Sequence, residues 1–328
     1  MSHTSRRGFL TTMAGALLLV AAPTLAHAEA AAEPTLLRST RDDRGITFFF
    51  QLAHAPFPAP GAGYTDSTVI VFVPNHLRRP RSDRTSALVH FHGHSTTAER
   101  ALDAHRLREQ LVDSKQDAIL VLPQGPVMAQ DSSIGKLEVE GGLARLLGDV
   151  FRALHTGPAR AALGRTSVGT EADRVCLSAH SGGYHAAAQC VKHGGVEVNE
   201  VYLFDALYAD AEVFRDWVVA GKGRSQRERH KLVTYFTGGA TERWSEWLFA
   251  ELGRAGVVCA REHVEGTLSR EELTRAEAVA IRSSLAHGDV TNQWNSLRDC
   301  LYASALPRHL RTSWFDAKHG ARPIERRR

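Results

Sequence analysis

The sequence predicts a single α/β domain of three layers, a mainly parallel sheet with helices on both faces. Two observations carry this reading. Short apolar runs ended by turn residues alternate with longer runs of helical spacing through the middle of the chain. Repeated strand–helix–strand order builds a parallel sheet that helices must cover on both sides. A third observation qualifies the start. GITFFFQLA (45–53) and STVIVFVP (67–74) are joined by the loop containing APFPAPG (55–61), with no helix between them, so the sheet should open antiparallel.

The first segment stands apart from the domain. Arg6 and Arg7 precede an apolar run from Met13 to Leu25, and Ala26-His27-Ala28 follows. A positive start, a short apolar core and a small-any-small exit describe an export signal. The run is too short and too alanine-rich for a permanent membrane span, although an uncleaved anchor is the competing reading. SRRGFL resembles a twin-arginine signal, which exports folded proteins, with Thr11 where a lysine is usual. The expectation is therefore a signal over 1–28 read by the twin-arginine export machinery. Residues 29–328 would form one domain working in a periplasm or outside the cell. The formal net charge of the chain is +4, and losing Arg6 and Arg7 lowers it to about +2. That argues against a nucleic-acid partner. No later segment is long and apolar enough to span a membrane, and the basic end RPIERRR reads as a solvated tail.

Further strands are expected at ALVHFH (87–92), DAILVLP (117–123), DRVCLSAH (173–180), NEVYLFDAL (199–207) and KLVTYFTGG (231–239). Helical spacing covers 96–114, 136–155, 183–193 and 241–256, the last with Thr241 as its expected cap. Beyond that, 257–264 reads as a strand, 269–280 as helical and 281–286 as a short strand. Export permits disulfides. Cys176 and Cys190 sit in apolar patterns that favour buried free thiols, which leaves Cys259 with Cys300 as the more plausible bridge.

One stretch carries chemistry. In RVCLSAHSGGYHAAA (174–188) an apolar strand turns into a helix with only AHSGG between them. A serine needs a base and oxyanion donors before it attacks anything. A sharp strand-to-helix turn lifts its side chain off the sheet and aims free helix N–H groups at the developing charge. The turn needs small neighbours, and Ala179 and Gly183 flank Ser181 at two residues on either side. A packing turn is the alternative use of the same residues.

AHSGG resembles the nucleophile elbow G-x-S-x-G of the α/β-hydrolase superfamily, with alanine for the first glycine. The resemblance covers roughly 45–305 in element order and implies an α/β-hydrolase-like sandwich. By it, Ser181 is the nucleophile and Gly182 N–H one oxyanion donor. LVHFHGHSTT resembles the family's HG-x loop and makes His94 N–H the second donor, with the His92 ring holding the loop. The family's order places the acid and then the base after the serine. Among seventeen histidines, position selects His287, in SSLAHGDV, ahead of His319 and His263. Asp205 ends an apolar strand at the sheet edge where ligands of open α/β sheets bind. It is the expected acid; Glu242 is the alternative, and Asp289 and Asp210 are lesser candidates.

The implied activity is that of a serine hydrolase of carboxylic esters, of small molecules or a polymer, with a Ser-His-Asp triad and no cofactor. Acyl transfer, thioester cleavage or peptide cleavage can use the same triad. A non-catalytic envelope binding protein can keep the fold. Alternating His90, His92 and His94 share one strand face, so a metal-dependent hydrolase is a further alternative. Residues 206–230 leave room for one crossover helix and no large lid, which favours an open site. Tyr184, Tyr208 and Trp294 are candidates to line it.

Overall fold

The computed structural model describes residues 1, 32–79, 82–128 and 133–309. The expected signal over 1–28, His319 and the basic end lie outside the described residues. Everything below concerns the unit that begins at Ala32.

Antiparallel pairing joins β1 (Thr35–Arg41), β2 (Gly45–Gln51) and β3 (Thr68–Pro74) into the expected entry. β3 then pairs antiparallel with β5 (Ala118–Pro123), which lies parallel to β4 (Arg84–Phe91). The parallel run continues through β6 (Glu171–His180), β7 (Val198–Phe204) and β8 (Lys231–Phe236). It ends with β10 (Ala278–Arg282) and β9 (Cys259–Glu262), giving the order β1-β2-β3-β5-β4-β6-β7-β8-β10-β9. The central strands β5, β7 and β8 are buried along their whole length, as a sheet covered on both faces requires.

The alternation of side chains along each strand sends neighbours into separate cores. Phe48 and Phe50 join one apolar cluster and Phe49 the other, across the sheet. The first core packs under α3 (Gly142–Leu154), α5 (Tyr184–His193), α6 (Ala211–Ala220) and α7 (Gly239–Arg254). The second packs under α1 (Ala98–Ala104), α2 (Leu107–Ser114), α8 (Arg270–Arg275) and α9 (Ser296–Tyr302). The remaining helix, α4 (Gly157–Leu163), adds Ala159 and Leu163 to the first core. Among the described residues no helix is long and apolar enough to cross a membrane.

The departures from the sequence expectations are local and have causes. β1 was not expected, because TLLRSTR is exposed almost throughout; it is an edge strand held by its ladder rather than by burial. The helical run 96–114 breaks into α1 and α2 at Arg106, whose φ is 51°. The run 136–155 breaks at Gly141, at φ 72°, leaving a single helical turn (Gly135–Glu138) before α3. The helical reading of 269–280 overran: α8 stops at Arg275, and AVAIR pairs between β8 and β9 as a strand. There tertiary pairing overrides the helix propensity of alanine. Thr241 does not cap α7, which starts two residues earlier at Gly239.

All four cysteines are free thiols, so the expected Cys259–Cys300 bridge is not formed. Cys259 packs toward the first core and Cys300 lies within the second, on opposite faces of the sheet.

Candidate active site

β6 delivers the corner. Its last residues are buried, and Ala179 lies between Phe91 of β4 and Leu203 of β7 with its side chain fully enclosed. The chain then turns through Ser181–Gly183, one helical turn, directly into α5. Ser181 has φ 52°, a left-handed conformation that costs a non-glycine residue about 1–3 kcal/mol. Two glycines make the corner possible. A Cβ at Gly183 would stand 2.5 Å from the Phe91 carbonyl oxygen, and one at Gly93 would stand 2.8 Å from Ser181 Cβ. Phe91 is held within β4 and Ser181 directly follows β6, so neither moves aside cheaply.

The loop after β4 folds against this corner. The His92 ring is buried and accepts from Gly125 N–H through Nε2 at 2.9 Å, so its proton sits on Nδ1, which meets the Gly93 carbonyl at 2.8 Å. Burial lowers its pKa, and the ring stays neutral as a fastener of the two loops. Ser95 N–H donates to Val127 O at 2.7 Å and closes the same junction. As a result Gly93, His94, Gly182 and Gly183 line one small pocket, with Pro126, Ile134 and Ala186 as its apolar wall.

Asp205 follows β7 at φ 45° and is almost fully buried, with its carboxylate saturated. Oδ2 accepts from His287 Nδ1 and from Thr237 Oγ1, each at 2.7 Å. Oδ1 accepts from Thr237 N–H at 3.1 Å and from the Thr241 hydroxyl. Burial pushes the carboxyl pKa up, but the bonds from His287, Thr241 and Thr237 outweigh it and hold the value at about 2. Donation from Nδ1 fixes the His287 tautomer and leaves Nε2 as an acceptor. The His287 side chain is 43% exposed. It sits on a single helical turn (His287–Asp289) a few residues after β10. Among the described residues Ser181 and His287 share no hydrogen bond; such contacts often tighten only with substrate in place.

The other expected residues lie elsewhere. Glu242, in the first turn of α7, faces Arg282 at 3.7 Å, while Asp205 takes the imidazole. Asp210 pairs with His185 at 2.7 Å. His263 is exposed just past β9 at the sheet edge. Two histidines of the metal alternative turn to separate partners. His90 is buried against Ser178 Oγ at 2.7 Å and His105 at 3.3 Å, while His92 turns to Gly125. Among the described residues no three His, Cys, Asp or Glu side chains converge on a metal position. Trp294 packs against the second core, whereas Tyr208 is 38% exposed with its ring 6.4 Å from that of His287 and 6.1 Å from that of Tyr184.

The strand order and the strand–corner–helix turn define an architecture of the α/β-hydrolase kind. Its mainly parallel mixed sheet carries helices on both sides, as the sequence predicts. No protein-family model matches the sequence, and no curated protein sequence does. Solved structures similar to it include a ferulic acid esterase, 10% identical with a TM-score of 0.46, covering 83% of this chain and 98% of that chain. A feruloyl esterase module from Clostridium thermocellum is 10% identical with a TM-score of 0.44, covering 86% and 92%. An S-formylglutathione hydrolase from Agrobacterium tumefaciens is 12% identical with a TM-score of 0.41, covering 81% and 96%.

Sequence reasoning missed the residues that hold the expected ones. Thr237 and Thr241 orient Asp205, yet a threonine after a strand and one near a helix start carry no signal of a shared partner. Gln110 is buried and donates to both His105 O and Thr291 O, at 2.7 and 2.9 Å. His105 lay inside a helical pattern with nothing to mark it.

Proposed function

We propose that this chain is an exported serine hydrolase of carboxylic esters, with Ser181 as nucleophile, His287 as base and Asp205 as its partner. The observation that carries the reading is the buried Asp205 carboxylate on His287 Nδ1 at 2.7 Å, at the strand ends beside the strained Ser181 corner. A half-exposed imidazole with a free Nε2 and a fixed tautomer is what a hydroxyl nucleophile needs from its base.

In the proposed reaction Ser181 Oγ attacks the ester carbonyl carbon as its proton passes to His287 Nε2. The carbonyl oxygen becomes an oxyanion held by Gly182 N–H and His94 N–H. Collapse breaks the ester C–O bond, and His287 returns the proton to the leaving alcohol. Water then attacks the acyl-enzyme with His287 again as base, releasing the acid and free Ser181. Asp205 stays ionised throughout and stabilises the imidazolium.

Two features support a short acyl group and an open site. The pocket beside Gly182 and His94 is walled by Pro126, Ile134 and Ala186. The stretch after β7 is taken up by α6, whose Phe214, Trp217 and Val218 are buried in the core, so it supplies no lid. The test is labelling by a fluorophosphonate probe, wild type against Ser181→Ala. Labelling of the wild type alone is expected; a folded wild type that does not label rejects the nucleophile. Hydrolysis of p-nitrophenyl acetate should exceed that of the decanoate. For export, Arg6→Lys with Arg7→Lys should leave the unprocessed chain in the cytoplasm.

A further inference from the structure

His180 sits next to the proposed nucleophile, but its ring turns away from the serine side of the corner and runs under the base. Its Nε2 lies 2.9 Å from the backbone carbonyl of His287, and the two rings are 4.7 Å apart. A carbonyl can only accept, so His180 carries its proton on Nε2 and donates it. The ring is 8% exposed, and burial lowers its pKa to about 4, so it is neutral in ordinary buffers.

His180 is itself braced. The His105 ring meets it edge-on at 4.6 Å, and His105 Nδ1 is 3.3 Å from His90 Nε2. His90 Nδ1 closes the row on Ser178 Oγ at 2.7 Å, in the same strand as His180. The row starts and ends on β6. Gly93 lies against its near end, where a Cβ would come within 3.3 Å of His180 Nδ1. The segment that carries His287 meets this brace again: Gln110 joins His105 O to Thr291 O, and Asn292 Nδ2 donates to Ala104 O at 2.5 Å.

Resting on the triad proposed above, we infer that His180 is a positioning residue for the base: its Nε2–H holds the His287 carbonyl, so the residue beside the nucleophile sets where the imidazole stands. Asp205 fixes the ring of His287 from one side through Nδ1. His180 fixes its backbone from the other. Neither bond alone determines the position of Nε2, because the ring can swing about a single anchor. The arrangement couples nucleophile and base rigidly through one strand end.

The test compares His180→Gln, which keeps a side-chain N–H donor at similar reach, with His180→Met, which has similar size and no donor. Steady-state kinetics on a p-nitrophenyl ester and fluorophosphonate labelling rates are the readouts, with melting temperature as control. In His180→Met, kcat and labelling rate should fall about tenfold to a hundredfold with KM within twofold, the scale of a small misplacement of a catalytic group. His180→Gln should recover most of both. Equal kcat in Met and wild type overturns the inference, as does equal loss in Gln and Met. Should the Met variant not fold, His180→Phe gives the donor-free arm under the same criteria. Failure of the triad reading is separate: it appears as wild-type protein that does not label at all.

Discussion

His287 and the row of His90, His105 and His180 are the same residue type a few ångströms apart, in two different electrostatic settings. His287 is 43% exposed, has a carboxylate on Nδ1 and leaves Nε2 open. The three behind it are buried, and none has a carboxylate hydrogen-bonded to its ring. Burial drives their pKa values down, to about 3 in His105 and about 4 in His180, with neighbouring histidines adding to the effect in His90 and His105. The difference teaches that a histidine's role here follows from its partner and its access to water. A front histidine with a carboxylate partner and access to water suits the proposed chemistry; a back histidine kept neutral by burial suits a fixed donor–acceptor scaffold.

The largest expected effect removes what distinguishes the front. Asp205→Asn keeps the shape but cannot hold the Nδ1–H tautomer, so kcat should fall roughly 10⁴-fold with KM little changed. Asparagine tolerates the φ of 45°, so the protein should stay folded by circular dichroism. A loss below tenfold in stopped assays would break the contrast between the two settings. Next, Gly183→Ala forces a Cβ against the Phe91 carbonyl and should shift the corner. Activity should fall on the order of a hundredfold, with roughly 1–3 kcal/mol lost in urea unfolding. Retained activity there would mean that the corner yields more easily than its packing implies.

The back row is probed by pH. Folded His180 and His105 hold their pKa values near 4 and 3, while the unfolded chain titrates near 6.5. Between those values the unfolded state binds more protons, so stability falls as pH falls from about 6.5 through about 4. Each such histidine contributes about 1.4 kcal/mol per pH unit. Urea midpoints from pH 7 to pH 4 should show this slope, and His180→Gln should reduce it by one histidine's share. Asp205 works at a lower pH: its depressed value gives stability that is present above about pH 4 and lost as pH falls through about 2. The smallest effect concerns Tyr208, beside the front ring. Tyr208→Ala should raise KM a few-fold and leave kcat within twofold if this half-exposed ring, 6.4 Å from that of His287, contacts the substrate of the proposed reaction.

Much of the fold was legible because its signals are local. Apolar runs in β4 to β8 are strands in both readings, and the antiparallel entry followed from the loop between the first two runs. The errors fall where local signals are weak or mixed. β1 has no apolar face to read, and AVAIR is alanine-rich enough to continue a helix. For the proposed site, the candidates Ser181, Asp205 and His287 follow from turn chemistry and from the family order that the resemblance implies, and the structure joins Asp205 to His287. The threonines on Asp205 and the glutamine that reaches Thr291 O carry no such signal, since nothing near them in the chain points to partners 32 to 181 residues away.

The sequence by itself determined the layer order and the AHSGG corner, because hydrophobic period and small-residue spacing act over a few residues. Only the tertiary structure decided which histidines reach water beside a carboxylate and which are buried. That depends on what long-range packing brings to each ring: a carboxylate and water for His287, other histidines and the core for His180, His105 and His90. Ring chemistry is identical in all four, and the environment that sets the proton is assembled by strands and loops far apart in the chain.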